Sequence, residues 1–337
     1  MRLLDIHYAD ALASLPAADD GSACPPLAPE TFALWPPDVH LALVQSDADE
    51  GERLAARGSL WWTDAPKPEG DRLGLVGHYA AATDDAGCAL LDEAMRRLRR
   101  AGCTRAAGPM DGATWRPYRF VISGRGDEPP FFMEPHAPPA YARHFRQTGF
   151  APWVRYRSAA VPLSKHSERD DCPEHDGRIR ALRMDRFERE LDRLYRLAAA
   201  SFAKNFLYTP MPEAVFKTQY RALRTRIDPD LVRIAEDAGG RPVGFCFAAP
   251  NGRRDGSEDG KTGDTVVLKT LAVHPSARGQ RLGAHLVADV HRVARAKGYR
   301  RVIHALMREG NASNRISDAY PEARTLRRYA LFAQPLS

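Results

Sequence analysis

Nothing in the chain limits its fold more than residues 265–298, where an unbroken apolar run meets a turn of small and basic residues and then an amphipathic helix. Thr265-Val266-Val267-Leu268-Lys269-Thr270-Leu271-Ala272-Val273 is rich in β-branched side chains and stops at His274-Pro275, which predicts a strand ended by proline. Leu282, Leu286, Val290 and Val293 then recur at intervals of four, four and three, one face of a helix that Gly298 ends. Arg301 to Met307 predicts another strand, so the helix is a crossover between two strands that run parallel.

The junction between that strand and helix reads Arg278-Gly279-Gln280-Arg281-Leu282-Gly283-Ala284. Small residues let a ligand approach the main chain, and the unpaired amides at the positive end of a helix attract an anion. Arg278 and Arg281 add charge-assisted donors, so a diphosphate is the natural guest. The bland reading is that Gly279 and Gly283 only tighten a turn and let the helix pack on the sheet; the strand before and the helix after favour the ligand.

The rest of the chain is organised around similar units. Arg178 to Leu182 predicts a short strand, Arg186 to Phe202 and Pro212 to Arg226 two helices, and Leu231 to Ala235 with Pro242 to Ala249 a hairpin; Asn251 to Asp264 is a loop. In the first half, Val39 to Val44, Gly58 to Trp62 and Leu73 to Ala80 predict three strands. A helix follows with Leu91, Met95 and Leu98 on one face, then a strand at Thr104 to Ala107. The echo implies a duplicated α/β unit. Residues 162–177 are polar and hold two prolines; the linker is placed at 166–177, between units 1–165 and 178–337. His166, Cys172 and His175 in that stretch lack a paired ligand spacing, so no metal is expected.

Bulk properties exclude a few classes. With 337 residues, two domains are expected rather than one. Lys and Arg outnumber Asp and Glu by 49 to 43, a mild excess that suits a nucleotide-like anion; nucleic acid is not expected as a partner on charge alone. Five scattered cysteines do not form a disulfide framework, and no secretory signal or bilayer span is read, so a cytoplasmic monomer or homodimer with no membrane partner is expected.

From Leu271-Ala272-Val273-His274-Pro275 through Ala284 the chain resembles the signature of the GNAT superfamily of N-acetyltransferases, whose cofactor loop reads Arg/Gln-x-x-Gly-x-Gly/Ala after a Val-x-Pro strand end. Arg281 departs from it, standing where that pattern usually has glycine. The resemblance covers residues 178–337 by element order and, more faintly, 38–165. It implies an α/β (α+β) fold of two GNAT-like domains, each a mixed, mostly antiparallel sheet with a parallel splayed pair and flanking helices. The first copy is degenerate: its equivalent turn, Thr83-Asp84-Asp85-Ala86-Gly87-Cys88-Ala89, lacks arginines and carries carboxylates that cap a helix.

By that resemblance the activity is acetyl transfer from acetyl-coenzyme A to a primary amine of a small molecule or peptide by direct attack. Leu271, Ala272 and Val273 would bond the pantetheine, and Arg278, Gly279, Gln280, Arg281, Leu282, Gly283 and Ala284, with Asn311, the rest of the cofactor. The chemistry needs a base for the amine and an acid for the thiolate. Lys269 and Thr270 occupy the strand positions where the family often has a carboxylate, and Ser317 falls at the acid position with Tyr320 one turn away. Ser317 and Asn311 equally suit a helix cap. His304 is either a neutral base facing the cleft or a core histidine. Asn205 and Tyr208, between the first two helices, are acceptor-pocket candidates, as are Trp115 and Arg116 in the Gly- and Pro-rich stretch 108–119. Two rival classes stay open: a non-catalytic acyl-CoA-binding or regulatory protein, and a Fem-type aminoacyl-tRNA-dependent ligase.

Overall fold

A computed structural model of the chain describes residues 1–16, 24–47, 51–124, 128–163, 178–252 and 263–336. The first half runs β1 (Arg2–Ile6), α1 (Pro29–Leu34), β2 (Val39–Asp47), β3 (Gly51–Trp61), β4 (Leu73–Ala81), α2 (Asp84–Arg100), β5 (Arg105–Gly108), β6 (Phe120–Gly124), α3 (Pro139–Gln147) and β7 (Ala151–Pro162). The second runs β8 (Arg178–Ala181), α4 (Phe187–Phe202), α5 (Glu213–Ala222), β9 (Val232–Glu236), β10 (Pro242–Pro250), β11 (Thr265–Val273), α6 (Leu282–Ala296), β12 (Arg301–Arg308), α7 (Ala312–Asp318) and β13 (Arg324–Pro335). The proposed linker, with His166, Cys172 and His175, lies outside the described residues, as does most of the loop 251–264. Each half has an amphipathic crossover helix between parallel strands: α2 joins β4 to β5, and α6 joins β11 to β12. Both helices bury the predicted apolar faces, Leu91, Met95 and Leu98 in one and Leu282, Leu286 and Val290 in the other.

The fold is mixed α/β, and its described strands form one sheet of thirteen, in the order β1-β2-β3-β4-β5-β13-β7-β12-β11-β10-β9-β8, with β6 also bonded to β13. The halves exchange their last strands. β13, from the carboxyl-terminal half, lies beside β5 (Phe332 opposite Gly108) and β7 (Tyr329 opposite Tyr156), while β7 pairs its other edge with β12 (Ala160 opposite Ile303). Such ladder bonds are backbone groups and carry no residue identity, so the partner is selected by side-chain packing. Phe332, Ala330 and Leu336 join the amino-terminal core around Phe120 and Phe145, and Tyr329 and Leu331 join a cluster with Trp61, Leu75 and Tyr156. Units 1–165 and 178–337 are a proposed division of the sequence; a single sheet runs across it, and side-chain bonds such as Arg157 to Asn314 cross it as well.

Candidate active site

The strands β11 and β12 stay paired from Thr265 opposite Arg301 to Leu268 opposite His304, and no rung follows. The far edge of β11 keeps bonding β10 as far as Val273 opposite Gly244, so Thr270 to Val273 hold their strand geometry while their β12 side is open. β11 and the turn that follows it carry the candidate site.

The turn begins with a short helical turn, Pro275–Ala277, capped by His274, whose Nδ1 lies 3.3 Å from the Ser276 amide. Among the described residues, the amides of Gly279 through Gly283 donate no main-chain hydrogen bond, and Ala284 is the first to bond back, to Arg281 O at 2.8 Å. Gly279 has φ +86° and nothing within 4 Å of where a Cβ would stand, so the turn is open at its start. Arg278 donates to the Ser201 carbonyl at 2.8 Å and ties the turn to the end of α4. Arg281 sits at φ 56°, in the left-handed region. The family's preferred glycine there follows from that geometry, since a Cβ costs about 1–2 kcal/mol in this region. Arg281→Gly is expected to stabilise the fold by about 0.5–1 kcal/mol once the entropy of an added glycine is subtracted. Thermal unfolding checks it, and a lowered midpoint would contradict the strain.

Beside the open strand edge lies a cavity of ≈ 860 Å³ that both halves wall. The second half supplies Leu271, Phe202, Asn205, Tyr208, Tyr220 and Asn311, and the first supplies Trp115, Arg116, Tyr118, Arg119, Met133 and Glu134. Eleven of its 38 lining residues are Trp, Tyr or Phe. The Arg119 guanidinium lies between the rings of Tyr118 at 3.7 Å and Tyr156 at 4.0 Å and donates to Leu306 O at 3.2 Å. Arg116 is 9% exposed; its Nη2 donates to Thr31 O at 3.3 Å, while its Nε and Nη1 have no partner.

Of the expected site residues, the cavity brings together Leu271, Asn311, Asn205, Tyr208, Trp115, Arg116 and His304. His304 is buried and shares a 2.9 Å hydrogen bond with His291, and burial lowers its pKa to about 4, so it is neutral near pH 7. Tyr320 packs on both imidazoles, 4.6 Å from the His291 ring and 5.6 Å from that of His304. Ser317 is fully buried in α7 with its Oγ unpartnered. Neither Ser317 nor Tyr320 lines the cavity. Asn311 precedes α7 but makes no side-chain cap bond. Arg119 belongs to the stretch 108–119 that the sequence singles out, whereas Met133, Glu134 and Tyr156 reach the cavity only through tertiary packing and carry no sequence signal of their own.

The equivalent place in the first half is filled by its own chain. Beyond Leu75 opposite Ala107 the β4 edge is met by residues 109–118: Met110 N donates to Val76 O at 2.9 Å, and Asp111 Oδ1 accepts from His78 N at 2.6 Å. At the head of α2, Thr83 caps the Ala86 amide at 3.2 Å, and Asp84 is bonded to Arg143 and to His144, at 3.0 and 2.9 Å.

Residues 191–318, which include the splayed parallel pair and the helix start beside it, match the model of the acetyltransferase (GNAT) family and form a GNAT domain. Two curated relatives are similar to the chain. Protein YghO of Escherichia coli (strain K12) is 26% identical over 186 residues, covering 52% of this chain and 47% of that protein. A bacterial ceramide synthase of Caulobacter vibrioides (strain NA1000 / CB15N) is 27% identical over 199 residues, covering 55% and 50%. The chain thus spans about half the length of the curated relatives it matches. Among solved structures, a GCN5-related N-acetyltransferase from Sphaerobacter thermophilus aligns over 99% of this chain and 96% of its own, with a TM-score of 0.51 and 15% identity, a likeness of fold. Among the described residues, no helix is long and apolar enough to cross a membrane, and no group of three His, Cys, Asp or Glu side chains could hold a metal ion.

Proposed function

We propose that the chain is an N-acyltransferase that moves an acetyl or longer acyl group from a coenzyme A thioester to a primary amine of a small molecule or peptide by direct attack. One observation supports this reading: the open edge of Thr270 to Val273, whose Thr270 and Leu271 border the shared cavity, leads through one short turn to a helix start at which, among the described residues, the amides of Gly279 to Gly283 donate no main-chain hydrogen bond. The amides, Arg278 and Arg281 suit a diphosphate, and the main chain of Leu271, Ala272 and Val273 suits the amide-bearing pantetheine arm. Asn205, Tyr208, Trp115 and Arg116 are assigned to the acceptor. His304, Ser317 and Tyr320 are the residues proposed near the departing thiol, with Tyr320 the better acid of the two hydroxyls. The first half is proposed to bind no coenzyme A, because residues 109–118 take the main-chain groups that a pantetheine would need.

A second substrate choice, a donor or acceptor with a long apolar chain, is favoured by the aromatic-rich wall of the ≈ 860 Å³ cavity, far larger than an acetyl group fills, and by the likeness to a protein named a ceramide synthase. Calorimetry with coenzyme A, acetyl-CoA and palmitoyl-CoA, followed by free-thiol release against a panel of short, long-chain and peptide amines, tests both. Binding with amine-dependent thiol release is the expected result. Binding without release favours the regulatory class, and salt-sensitive tRNA binding without coenzyme A affinity favours the ligase class. No affinity for any of the three thiols and thioesters overturns the proposal.

A further inference from the structure

Lys269 stands at a break in two ladders. In the β10–β11 register Phe247 faces Thr270 and Ala248 faces Leu268, so Lys269 is the extra residue of a bulge, and the β11–β12 ladder ends one residue before it. Bulges re-aim side chains, and this one belongs to the cavity wall. The half-buried Lys269 reaches across to the first half, where its Nζ donates to Met133 O at 3.0 Å. Among the described residues, no carboxylate lies within ion-pair distance of it. Glu134, the one acid in the cavity lining, is already bonded to Arg327 and to the hydroxyl of Tyr329. The other charged or titratable groups that line the cavity are Arg116, Tyr118 and Arg119 from the stretch before β6, Tyr156 from β7, neutral His304 and Arg308 from β12, Tyr195 and Tyr220 from α4 and α5, and Tyr208 between those helices. An ammonium here keeps only one carbonyl partner, and its loss of water and the neighbouring guanidinium disfavour its charge.

Resting on the acyl-transfer reading, we propose that the amine of Lys269 accepts the proton of the attacking amine. The acceptor nitrogen bonds the acyl carbon and the carbon–sulfur bond breaks. The proton shed by the nitrogen passes to Lys269 Nζ and from there to solvent, while the thiolate takes one proton, so the protein returns to its starting charge. Partial burial, then the Arg119 guanidinium, pulls the Lys269 ammonium down to about 7, against the opposing pull of Glu134. Because the neutral form is the active one, the rate rises as pH passes that value and levels off above it. The competing role is a permanent cation that joins Arg119 and Arg308 in holding an anionic group.

The test uses the full chain. Lysines are reductively methylated with ¹³C-formaldehyde and titrated by NMR, with Lys269→Arg supplying the assignment. Thiol release from acetyl-CoA with dodecylamine is followed from pH 5.5 to 9.5 in the wild type, Lys269→Gln and Lys269→Arg, and coenzyme A affinity is measured in all three. The expected result is one lysine titrating near 7, a rate profile with the same midpoint, and a loss of about 100-fold or more in both variants with coenzyme A affinity unchanged. A Lys269 midpoint near about 10, or Lys269→Arg retaining wild-type turnover, overturns the proton-acceptor role. A wild type that binds no coenzyme A, or releases no thiol with any amine, overturns the acyl-transfer reading instead, whatever Lys269 titrates at.

Discussion

Phe332→Ala is expected to destabilise the chain by about 3–5 kcal/mol and to lower the unfolding midpoint of the first half, although the substitution lies in the last strand of the second. Phe332 is fully buried. Its ring stands 6.4 Å from that of Phe120 and 6.1 Å from that of Phe145, and its backbone pairs with Gly108. Removing it leaves a cavity among rings that belong to residues 1–165. The five tryptophans, Trp35, Trp61, Trp62, Trp115 and Trp153, all lie in that half, so their fluorescence reports it selectively. Urea unfolding should show the tryptophan transition moving to lower denaturant together with the far-ultraviolet circular dichroism. A tryptophan midpoint equal to that of the wild type, beside a lowered helical signal, would mean that the last strands are not exchanged.

Gly283→Asp is expected to weaken coenzyme A binding by about 100-fold or more, roughly 3 kcal/mol, while leaving the fold intact. Gly283 lies in the first turn of α6, where an added Cβ would stand 3.2 Å from the tip of Ile316 and 3.5 Å from that of Leu271, close contacts that flexible side chains relieve. Gly283 is buried beside Ile316, Leu271 and Val273, so the carboxylate costs some stability that the helix dipole offsets only in part, and the melting temperature should fall with the chain still folded at about 25 °C. The same charge competes with a diphosphate for the amides of Gly279 to Gly283 and repels it. Calorimetry with acetyl-CoA decides the matter, with Gly283→Ala separating bulk from charge. Wild-type affinity in Gly283→Asp would place the cofactor elsewhere.

Much of the local architecture was legible because its signals are local. Periodic apolar positions located α2, α4 and α6, and β-branched runs located β2, β4, β10, β11 and β12, with end points shifted by a few residues. β3 begins at Gly51 rather than Gly58 because Glu52 and Arg53, polar in sequence, still satisfy a ladder with β2 through Ser46 and Gln45. Arg281 marked its own anomaly, a side chain where the turn turns left-handed. No strand was assigned to 151–162 or 324–335, where arginines interrupt the apolar alternation. Two of those arginines are buried or half-buried by pairing: Arg157 bonds Asn314 at 2.5 Å, and Arg327 holds Glu134. Such partners lie more than a hundred residues away, and no window of sequence contains both.

The sequence alone therefore determined the unit proposed to meet an anion: an apolar strand, a turn with small residues and guanidinium groups, and an amphipathic helix, each set by contacts between residues a few positions apart. Tertiary structure alone decided which strand each half takes as its last, what fills the gap between β4 and β5, and which first-half side chains wall the cavity beside Lys269. The physical reason is that backbone ladders accept any strand of suitable length. The choice among partners rests on side-chain packing summed across the whole core, and chain-local periodicity does not encode that sum.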